Sequence, residues 1–224
     1  MRVVIINPNT DQVFTERIGR GAAAVAAAGT EIECFSAPGA PPFIENYKDE
    51  ALCAPGMIAL GEEWAERADA FVIACTCDPN LNLLRELTDK PVLGAGECSM
   101  LLALTLGHRF SILQVTAHSV PMKRDLVRKY GLEPRLASVV AIDENGNEEM
   151  EEKLYRAGTM AVERDGAEVL ALGCAGLGGL DSRLSARLGV PVVDGVTASV
   201  KMAEALVSAG YKTGKKGGYA AREG

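Results

Sequence analysis

The sequence offers little that would suit nucleic acid or a membrane. Acidic residues outnumber basic ones by 30 to 23, and the formal net charge at pH 7 is -7. Because no basic stripe stands against this charge, we expect no nucleic-acid partner. The apolar runs are too short to span a bilayer, and the run that follows Arg2 is too short for the core of a signal peptide. We therefore expect a cytoplasmic protein without a membrane partner.

Metal-ligand patterns are also scarce. The chain has two histidines, His108 and His118, and neither pairs with a nearby cysteine. Cys75 and Cys77 form Cys-x-Cys, whereas metal sites usually have Cys-x-x-Cys or added histidines. We expect no metal. A disulfide framework is not expected either, because the compartment is reducing and the chain has 224 residues. The six cysteines are therefore core residues or reactive thiols.

Strand patterns alternate with helix patterns through the whole chain. The segments "RVVII" (2–6), "EIECFS" (31–36), "AFVIAC" (70–75) and "PVLGA" (91–95) are apolar runs of strand length. Helical patterns separate most of them, and "APGAPPFIENYKDE" (37–50) is a proline-rich loop. Such alternation predicts an α/β fold with parallel sheets.

The same order of elements then recurs. Segment 2–10, "RVVIINPNT", aligns with segment 109–117, "RFSILQVTA". Segment 68–107 aligns with segment 166–210, since both have a strand, a cysteine, a turn, a helix, a Pro-Val strand and an alanine-rich helix. The repeat is too long for a solenoid. It predicts two Rossmann-like α/β lobes related by a pseudo-two-fold axis.

We place the boundary between the lobes near "LGHRF" (106–110). The first lobe is predicted to comprise residues 1–106 with 196–224, whose last helix and tail pack back on it, and the second residues 107–195. Ligands of open parallel sheets bind at the carboxyl ends of the strands. We therefore expect an active site in the cleft between the lobes.

In each lobe, one apolar strand stops at a cysteine. "FVIAC" ends at Cys75 and "VLALGC" ends at Cys174, and the two coincide in the alignment. Two-fold packing would point both thiols into one cleft from opposite sides. Asp78 is predicted to cap a helix that begins at Pro79. A helix N-terminus beside Cys75 would lower the pKa of its thiol.

Two opposed thiols suit the inversion of a carbon acid. One thiolate removes the proton from one face and the opposite thiol protonates the other face, without a metal or an organic cofactor. The carbanion must be delocalised into a carbonyl, whose oxygen needs donors. Eight candidate substrate-binding residues follow the strand ends beside the cysteines: Asn9, Thr10, Thr76, Gln114, Val115, Thr116, Ala175 and Gly176.

Motifs along almost the whole chain resemble one family. "INPNT", "ACTCDPNL", "LGCAGL", "GVPVVDGV" and "KTGKKGGYA" are similar to the hydantoin racemase branch of the aspartate/glutamate racemase superfamily, which includes hydantoin and allantoin racemases. The resemblance implies a cofactor-independent two-cysteine racemase with two α/β lobes, and a homo-oligomer. It places the family's cysteine pair on Cys75 and Cys174 and its Asn-Pro-Asn segment on Asn7, Pro8 and Asn9.

The chain departs from the family pattern around the first cysteine. Where Cys-Phe-Gly-Asp-Pro-Gly-Leu is expected, it has "CTCDPNL", with Thr76 in the place of a phenylalanine that is a pocket wall in that branch. We therefore expect a more polar or roomier pocket. After the central strand, Gln114 and Val115 stand where a Thr-Thr pair is expected, and Thr116 follows. The sequence assigns Cys77 no role in the chemistry.

The leading hypothesis is a racemase for a small-molecule cyclic ureide, such as a 5-substituted hydantoin or allantoin. Cys75 and Cys174 would each serve one enantiomer. Two alternatives stay open at this point. One is an amino-acid racemase, a maleate isomerase-like enzyme or an arylmalonate decarboxylase of the same superfamily, with Thr76 and Thr116 holding a carboxylate. The other is a non-catalytic small-molecule binding protein.

Overall fold

The computed structural model describes residues 1–143 and 148–220 and has two parallel sheets of four strands each. The strands are β1 (Arg2–Asn7), β2 (Glu31–Ser36), β3 (Ala70–Ile73), β4 (Val92–Gly94), β5 (Phe110–Gln114), β6 (Leu136–Ala141), β7 (Val169–Leu172) and β8 (Val192–Val193). The first sheet has the order β2-β1-β3-β4 and the second the order β6-β5-β7-β8. The two sheets thus share one topology, and the expectation of a duplicated α/β fold is confirmed.

Helices flank both sheets. They are α1 (Gln12–Val25), α2 (Tyr47–Leu52), α3 (Ala54–Trp64), α4 (Leu81–Leu87), α5 (Ala95–Leu106), α6 (Val120–Lys129), α7 (Met150–Glu163), α8 (Asp181–Leu188) and α9 (Gly195–Ser208). The central strands are buried along their length, as in β3 and β7. This explains their continuous apolar runs, because a parallel strand covered by helices on both faces has no solvent side. Within the described ranges, no helix is long and apolar enough to cross a membrane.

The two halves meet along α5 and α9, which occupy equivalent places in them. The helices begin in close contact, since a Cβ on Gly195 would lie 2.4 Å from the carbonyl oxygen of Ala95. Ser199 Oγ donates a hydrogen bond to the carbonyl of Gly94 at 3.3 Å. One hydrophobic cluster includes Val72 of the first half and Ala171 of the second. The core is therefore continuous between the halves.

The last helix and the tail contact the first half, where we expected them to pack. Helix α9 contacts α1, β3 and β4. In the tail, the Thr213 N–H donates to the carbonyl of Asp89 at 2.8 Å, and Tyr219 Oη donates to Asn82 Oδ1 at 2.9 Å. The lobe boundaries themselves stay a prediction.

The turn after Cys75 differs from the prediction. Asp78 does not cap the next helix, and Pro79 is not its first residue: α4 begins two residues later, after Asn80, and has no side-chain cap. Asp78 and Asn80 both have left-handed backbone, with φ of 51° and 56°. This conformation turns the Asp78 side chain away from α4, so the prediction was wrong.

Asp78 stabilises a different helix instead. Its carboxylate accepts hydrogen bonds from the N–H groups of Gly96 and Glu97, at 2.8 and 2.6 Å, in the first turn of α5. It also accepts one from Tyr130 Oη at 2.8 Å. Gly94 leaves the room for this contact, because a Cβ there would lie 2.3 Å from Asp78 Oδ1. Asp78 thus links the Cys75 turn to α5 and to the end of α6.

Candidate active site

A cavity of about 250 Å³ lies at the carboxyl ends of the two sheets. The predicted site residues that line it are Asn9, Cys75, Thr76, Gln114, Val115, Thr116, Cys174 and Ala175. Thr10 and Gly176 do not line it. Thr10 is exposed and its N–H donates to the carbonyl of Pro41 at 3.2 Å, while Gly176 is buried beside Phe14.

The two predicted acid/base thiols stand in equivalent surroundings. Cys75 follows β3 and Cys174 follows β7, and both are half-buried at the cavity. In each turn, the backbone N–H two residues later acts to lower the pKa of the thiol, that of Cys77 on Cys75 and that of Gly176 on Cys174. The duplicated turn therefore gives each thiol one N–H that favours its anionic form.

These N–H groups do not outweigh the other influences. Hydrogen bonding to the Cys77 side chain, followed by burial, raises the pKa of Cys75 well above its usual value. Burial likewise raises the pKa of Cys174. We had expected a helix N-terminus to lower the pKa of the Cys75 thiol. That expectation was wrong, because α4 begins too late in the chain and the Cys77 side chain and burial both raise the pKa of Cys75.

A buried lysine beside Cys75 was missed by the sequence reasoning. Lys123 of α6 is 1% exposed, and its Nζ donates to Thr76 Oγ1 at 2.6 Å and to Cys77 Sγ at 3.2 Å. The sequence does carry a signal: Lys123 precedes the buried Leu126 and Val127 by three and four positions. This spacing places a charged residue on the apolar face of the helix.

Lys123 changes the ionisation of the Cys77 thiol. A hydrogen bond from Cys75 and the nearby Lys123 charge lower the pKa of Cys77 to about 5, although burial acts in the opposite direction. The pKa of Lys123 is raised, because the neighbouring thiols, Cys77 above all, outweigh the effect of burial. Both shifts favour a thiolate at Cys77 beside an ammonium at Lys123.

Thr76 occupies the place of the expected aromatic wall. Its buried Oγ1 donates to the carbonyl of Gly173 at 2.5 Å and accepts from Lys123 Nζ. Gly173 and Lys123 belong to the second half, so this hydroxyl joins the two halves across the cleft. The wall is polar, but its hydroxyl is already engaged on both sides.

Two amide side chains present unpaired groups at the cavity. Asn9 Oδ1 accepts from Asn7 Nδ2 at 2.8 Å and from the Asp11 N–H at 3.0 Å, while no described residue pairs with Asn9 Nδ2. Gln114 Nε2 donates to Ser119 Oγ, and its Oε1 is buried with no partner among the described residues. The site thus offers one free donor and one free acceptor.

A further, mostly apolar wall comes from segments that the sequence reasoning left without a function. Phe14 of α1 lines it, and the proline-rich loop contributes Phe43, Ile44 and Glu45. The loop was predicted as a loop, but nothing in its sequence indicated that it borders the cleft. In the described parts of the chain, no three His, Cys, Asp or Glu side chains are placed to hold a metal ion.

Comparison with known proteins gives a consistent result. The sequence model of the Asp/Glu/Hydantoin racemase family matches residues 3–203. The hydantoin racemase of Pseudomonas sp. (strain NS671) is 43% identical over 96% of this chain and 89% of its own. That of Rhizobium meliloti is 40% identical over 98% of this chain and 94% of its own. The allantoin racemase structure from Klebsiella pneumoniae superimposes with a TM-score of 0.95 and 39% identity, covering 100% of this chain and 94% of that one.

These matches extend over both halves and both cysteine turns. They confirm the expected branch and the expectation of an isomerase of the racemase type. The chain therefore belongs to the Asp/Glu/Hydantoin racemase family, in the branch of the hydantoin and allantoin racemases.

Proposed function

We propose that the protein racemises a 5-substituted hydantoin or an allantoin-type cyclic ureide, with Cys75 and Cys174 as its two acid/base groups. One cysteine, as thiolate, removes the proton at the α-carbon, and the other, as thiol, protonates the opposite face. The roles exchange for the other enantiomer. No cofactor takes part, because the adjacent carbonyl delocalises the carbanion.

The observation that carries this proposal is the matched placement of the thiols. Cys75 and Cys174 reach one cavity from equivalent strand ends of the two halves, and in each turn the backbone N–H two residues later acts to lower the pKa of the thiol. Inversion needs two proton-transfer groups on opposite faces of one carbon. Binding alone needs no such pair, which argues against the non-catalytic alternative.

The two unpaired amide groups favour a cyclic ureide. Gln114 Oε1 is a buried acceptor that needs a donor, and Asn9 Nδ2 is a free donor. A hydantoin ring carries N–H and carbonyl groups side by side and can satisfy both. As the proton leaves, charge grows on a carbonyl oxygen, and an N–H directed at that oxygen stabilises it. Phe14 and Ile44 offer apolar surface for the 5-substituent.

The acyclic-acid alternative required Thr76 and Thr116 to hold a carboxylate. Thr76 Oγ1 is fully used by Gly173 and Lys123, and Thr116 Oγ1 is within hydrogen-bonding distance of Ser119 Oγ at 2.8 Å. No observation therefore favours this alternative.

The test is proton NMR in deuterated water. The reduced protein is mixed with single enantiomers of 5-substituted hydantoins, allantoin, aspartate, glutamate and an arylmalonate. We expect the α-proton signal and the optical activity of a ureide to disappear together. Exchange with glutamate or aspartate alone, or loss of carbon dioxide from the malonate alone, would overturn the proposed substrate class.

The roles of the thiols are tested with Cys75→Ser and Cys174→Ser. Each is expected to lower racemisation by about 10³-fold or more, since a serine hydroxyl is a far weaker acid and base at neutral pH. Cys34→Ser is the matched control, because this thiol lies outside the cavity and its loss should leave the rate unchanged. Full activity in either of the first two variants would refute the two-thiol mechanism. Sedimentation of the same samples checks the expected homo-oligomer.

A further inference from the structure

A buried cation lies against the Cys75 turn, and the racemisation proposed above gives it no role. The Lys123 ammonium is almost inaccessible to solvent and contacts a hydroxyl, Thr76 Oγ1, and a sulfur, Cys77 Sγ. In the described residues, no carboxylate forms an ion pair with it. A buried ammonium is strongly disfavoured unless an anion accompanies it. Asp78 acts on Lys123 only from a distance, so of the two groups in direct contact with the ammonium the Cys77 thiol is the one that can supply the anion.

The geometry identifies Cys77 as that anion. Its sulfur lies 3.2 Å from Lys123 Nζ, and the Cys75 and Cys77 side chains interact, each shifting the pKa of the other. Cys77 lines the cavity, as Cys75 does. A proton can therefore pass directly between Cys75 and Cys77 while Lys123 stays in contact with the pair. The lowered pKa of Cys77 and the raised pKa of Cys75 agree with a negative charge on Cys77 in the protein at rest.

We propose that Cys77 and Lys123 form a charge-holding unit for Cys75: Cys77 keeps, as a thiolate, the negative charge that Cys75 needs when it acts as a base, and Lys123 holds that charge in place. The proposal rests on the two-cysteine racemisation proposed above. Cys77 and Lys123 act through Cys75 and are positioning residues for it.

The protons balance over a cycle. At rest Cys75 and Cys174 are thiols and Cys77 is a thiolate. Cys75 passes its proton to Cys77, takes the substrate proton, and Cys174 protonates the opposite face. The products are a thiol at Cys75, a thiol at Cys77 and a thiolate at Cys174.

The opposite enantiomer restores the resting state. Cys174 removes its proton, Cys75 protonates the other face, and Cys77 returns its proton to Cys75. One negative charge is thus shared by three sulfurs beside one ammonium, and the site stays neutral. A neutral ureide suits such a site better than an anion does.

Charged and titratable groups face Cys77 from several elements. Glu50 and Tyr47 face it from the α2 region, Lys123 from α6 and Cys174 from the β7 turn. Lys123 is the only cation in direct contact with Cys77 among the described residues. Its removal is therefore the sharpest perturbation of the unit.

The first test needs no substrate. Thiolate formation in the ligand-free protein is followed by ultraviolet absorbance against pH, in wild type, Lys123→Met, Cys77→Ala and the control Cys34→Ser. We expect wild type and control to form one thiolate at a pH near 5, and the first two variants to form theirs only toward ~8.5 or above. A thiolate at low pH in Lys123→Met would overturn the proposal, whether or not the protein is a ureide racemase.

The second test separates a functional role from a merely structural one. The ratio kcat/KM is measured against pH for both enantiomers of a 5-benzylhydantoin. In Lys123→Met and Cys77→Ala the acid limb is expected to move up by about two pH units or more, equally in both directions because the enantiomers have equal free energy. An unmoved acid limb in folded variants would refute the charge-holding role.

If the variants do not fold, the proposal can still be tested on the wild-type protein alone. A brief iodoacetamide pulse at mildly acidic pH, followed by peptide mass spectrometry, reports which thiol is ionised. We expect Cys77 to be alkylated well before Cys174. Alkylation of Cys174 first, or of both at one rate, would contradict the proposal.

Discussion

At the end of β3, the Cys75 turn is contacted by Lys123, which belongs to α6 of the other half. At the end of β7, the Cys174 turn is contacted by Phe14, which belongs to α1 of the first half, so closely that a Cβ on Gly176 would lie 1.9 Å from the ring. Helices α1 and α6 both follow the first strand of their half. Each half therefore completes the cysteine turn of the other, one with an ammonium and one with an aromatic ring.

The same divergence appears where the last helix of each half begins. Asp194 precedes α9 and accepts a hydrogen bond from the Thr197 N–H at 2.8 Å. The equivalent position before α5 is Gly94, which has no side chain. There the carboxylate of Asp78, from the cysteine turn, accepts hydrogen bonds from the N–H groups of the first helical turn instead. The lesson is that the duplicated backbone sets where groups can stand, while single side chains decide what each half does.

The largest loss of stability is expected when the contact between the equivalent helices α5 and α9 is broken. Gly195→Ala would place a methyl group 2.4 Å from a backbone oxygen of α5, and we expect a loss of about 3 kcal/mol or more in the free energy of unfolding. Urea denaturation measures it. Gly21→Ala, whose Cβ would meet nothing within 4 Å, is the control and should gain up to ~1 kcal/mol. Equal stability of the two variants would contradict the tight helix contact.

The next largest loss of stability is expected at the carboxylates that accept hydrogen bonds at the starts of α5 and α9. Asp78→Ala removes the acceptor of two N–H groups and of Tyr130, and we expect it to cost about 2–3 kcal/mol of unfolding free energy. Asp194→Ala removes one N–H acceptor and should cost about 1 kcal/mol. Chemical denaturation of both variants gives the order. The reverse order would show that Asp78 contributes less than its contacts imply.

A smaller loss of stability is expected when the hydrogen bonds that Thr76 makes across the cleft are removed. Thr76→Val keeps the shape but deprives the Gly173 carbonyl and Lys123 of a partner, so we expect a loss of about 1–2 kcal/mol. Thr76→Ser keeps the hydroxyl and should lose much less. Thermal and urea unfolding compare the pair, with the exposed Thr105→Val expected within ~0.5 kcal/mol of wild type. If valine and serine behave alike, the hydroxyl bonds do not stabilise the contact between the halves.

The last effect is a pH dependence that arises from Glu50 in the first half. Burial, and then the charge of Cys77, raises the pKa of Glu50 from 4.5 to about 7. The folded protein thus holds this proton where the unfolded chain has lost it, so the contribution of Glu50 to stability falls as pH rises from about 4.5 to about 7. Glu50→Gln lacks this loss, and its stability relative to wild type should rise across that window. Parallel stability curves against pH would contradict the raised pKa.

The repeat in the sequence was enough to predict the fold and the main walls of the cleft. Cys75 and Cys174 could be placed together because equivalent strand ends meet across a pseudo-two-fold axis. The Asp78 contact could not be predicted, because it depends on a left-handed turn and on an absent Cβ at Gly94. Local capping rules predict that an aspartate caps the nearest helix, α4. Asp78 instead accepts its hydrogen bonds from the first turn of the more distant α5.

The role of Lys123 was hidden for a different reason. Its contact with Cys77 joins residues 46 positions apart in the chain and in different halves, whereas sequence motifs describe near neighbours. Phe14 and the 37–50 loop were missed in the same way, since a wall that closes over a site from another element leaves no local pattern. A charged residue on the apolar face of α6 was the one clue available.

The missing side chain at Gly94 also constrains how this protein can evolve. An aspartate there, as at position 194, would bring its Cβ to 2.3 Å from Asp78 Oδ1, so it cannot arise while Asp78 remains. Losing Asp78 first would strip the start of α5 of its acceptor. A change from one arrangement to the other therefore has no neutral single step, and the pair is expected to be epistatic. A crossover between positions 78 and 94 with a chain that carries the other arrangement should therefore be poorly tolerated.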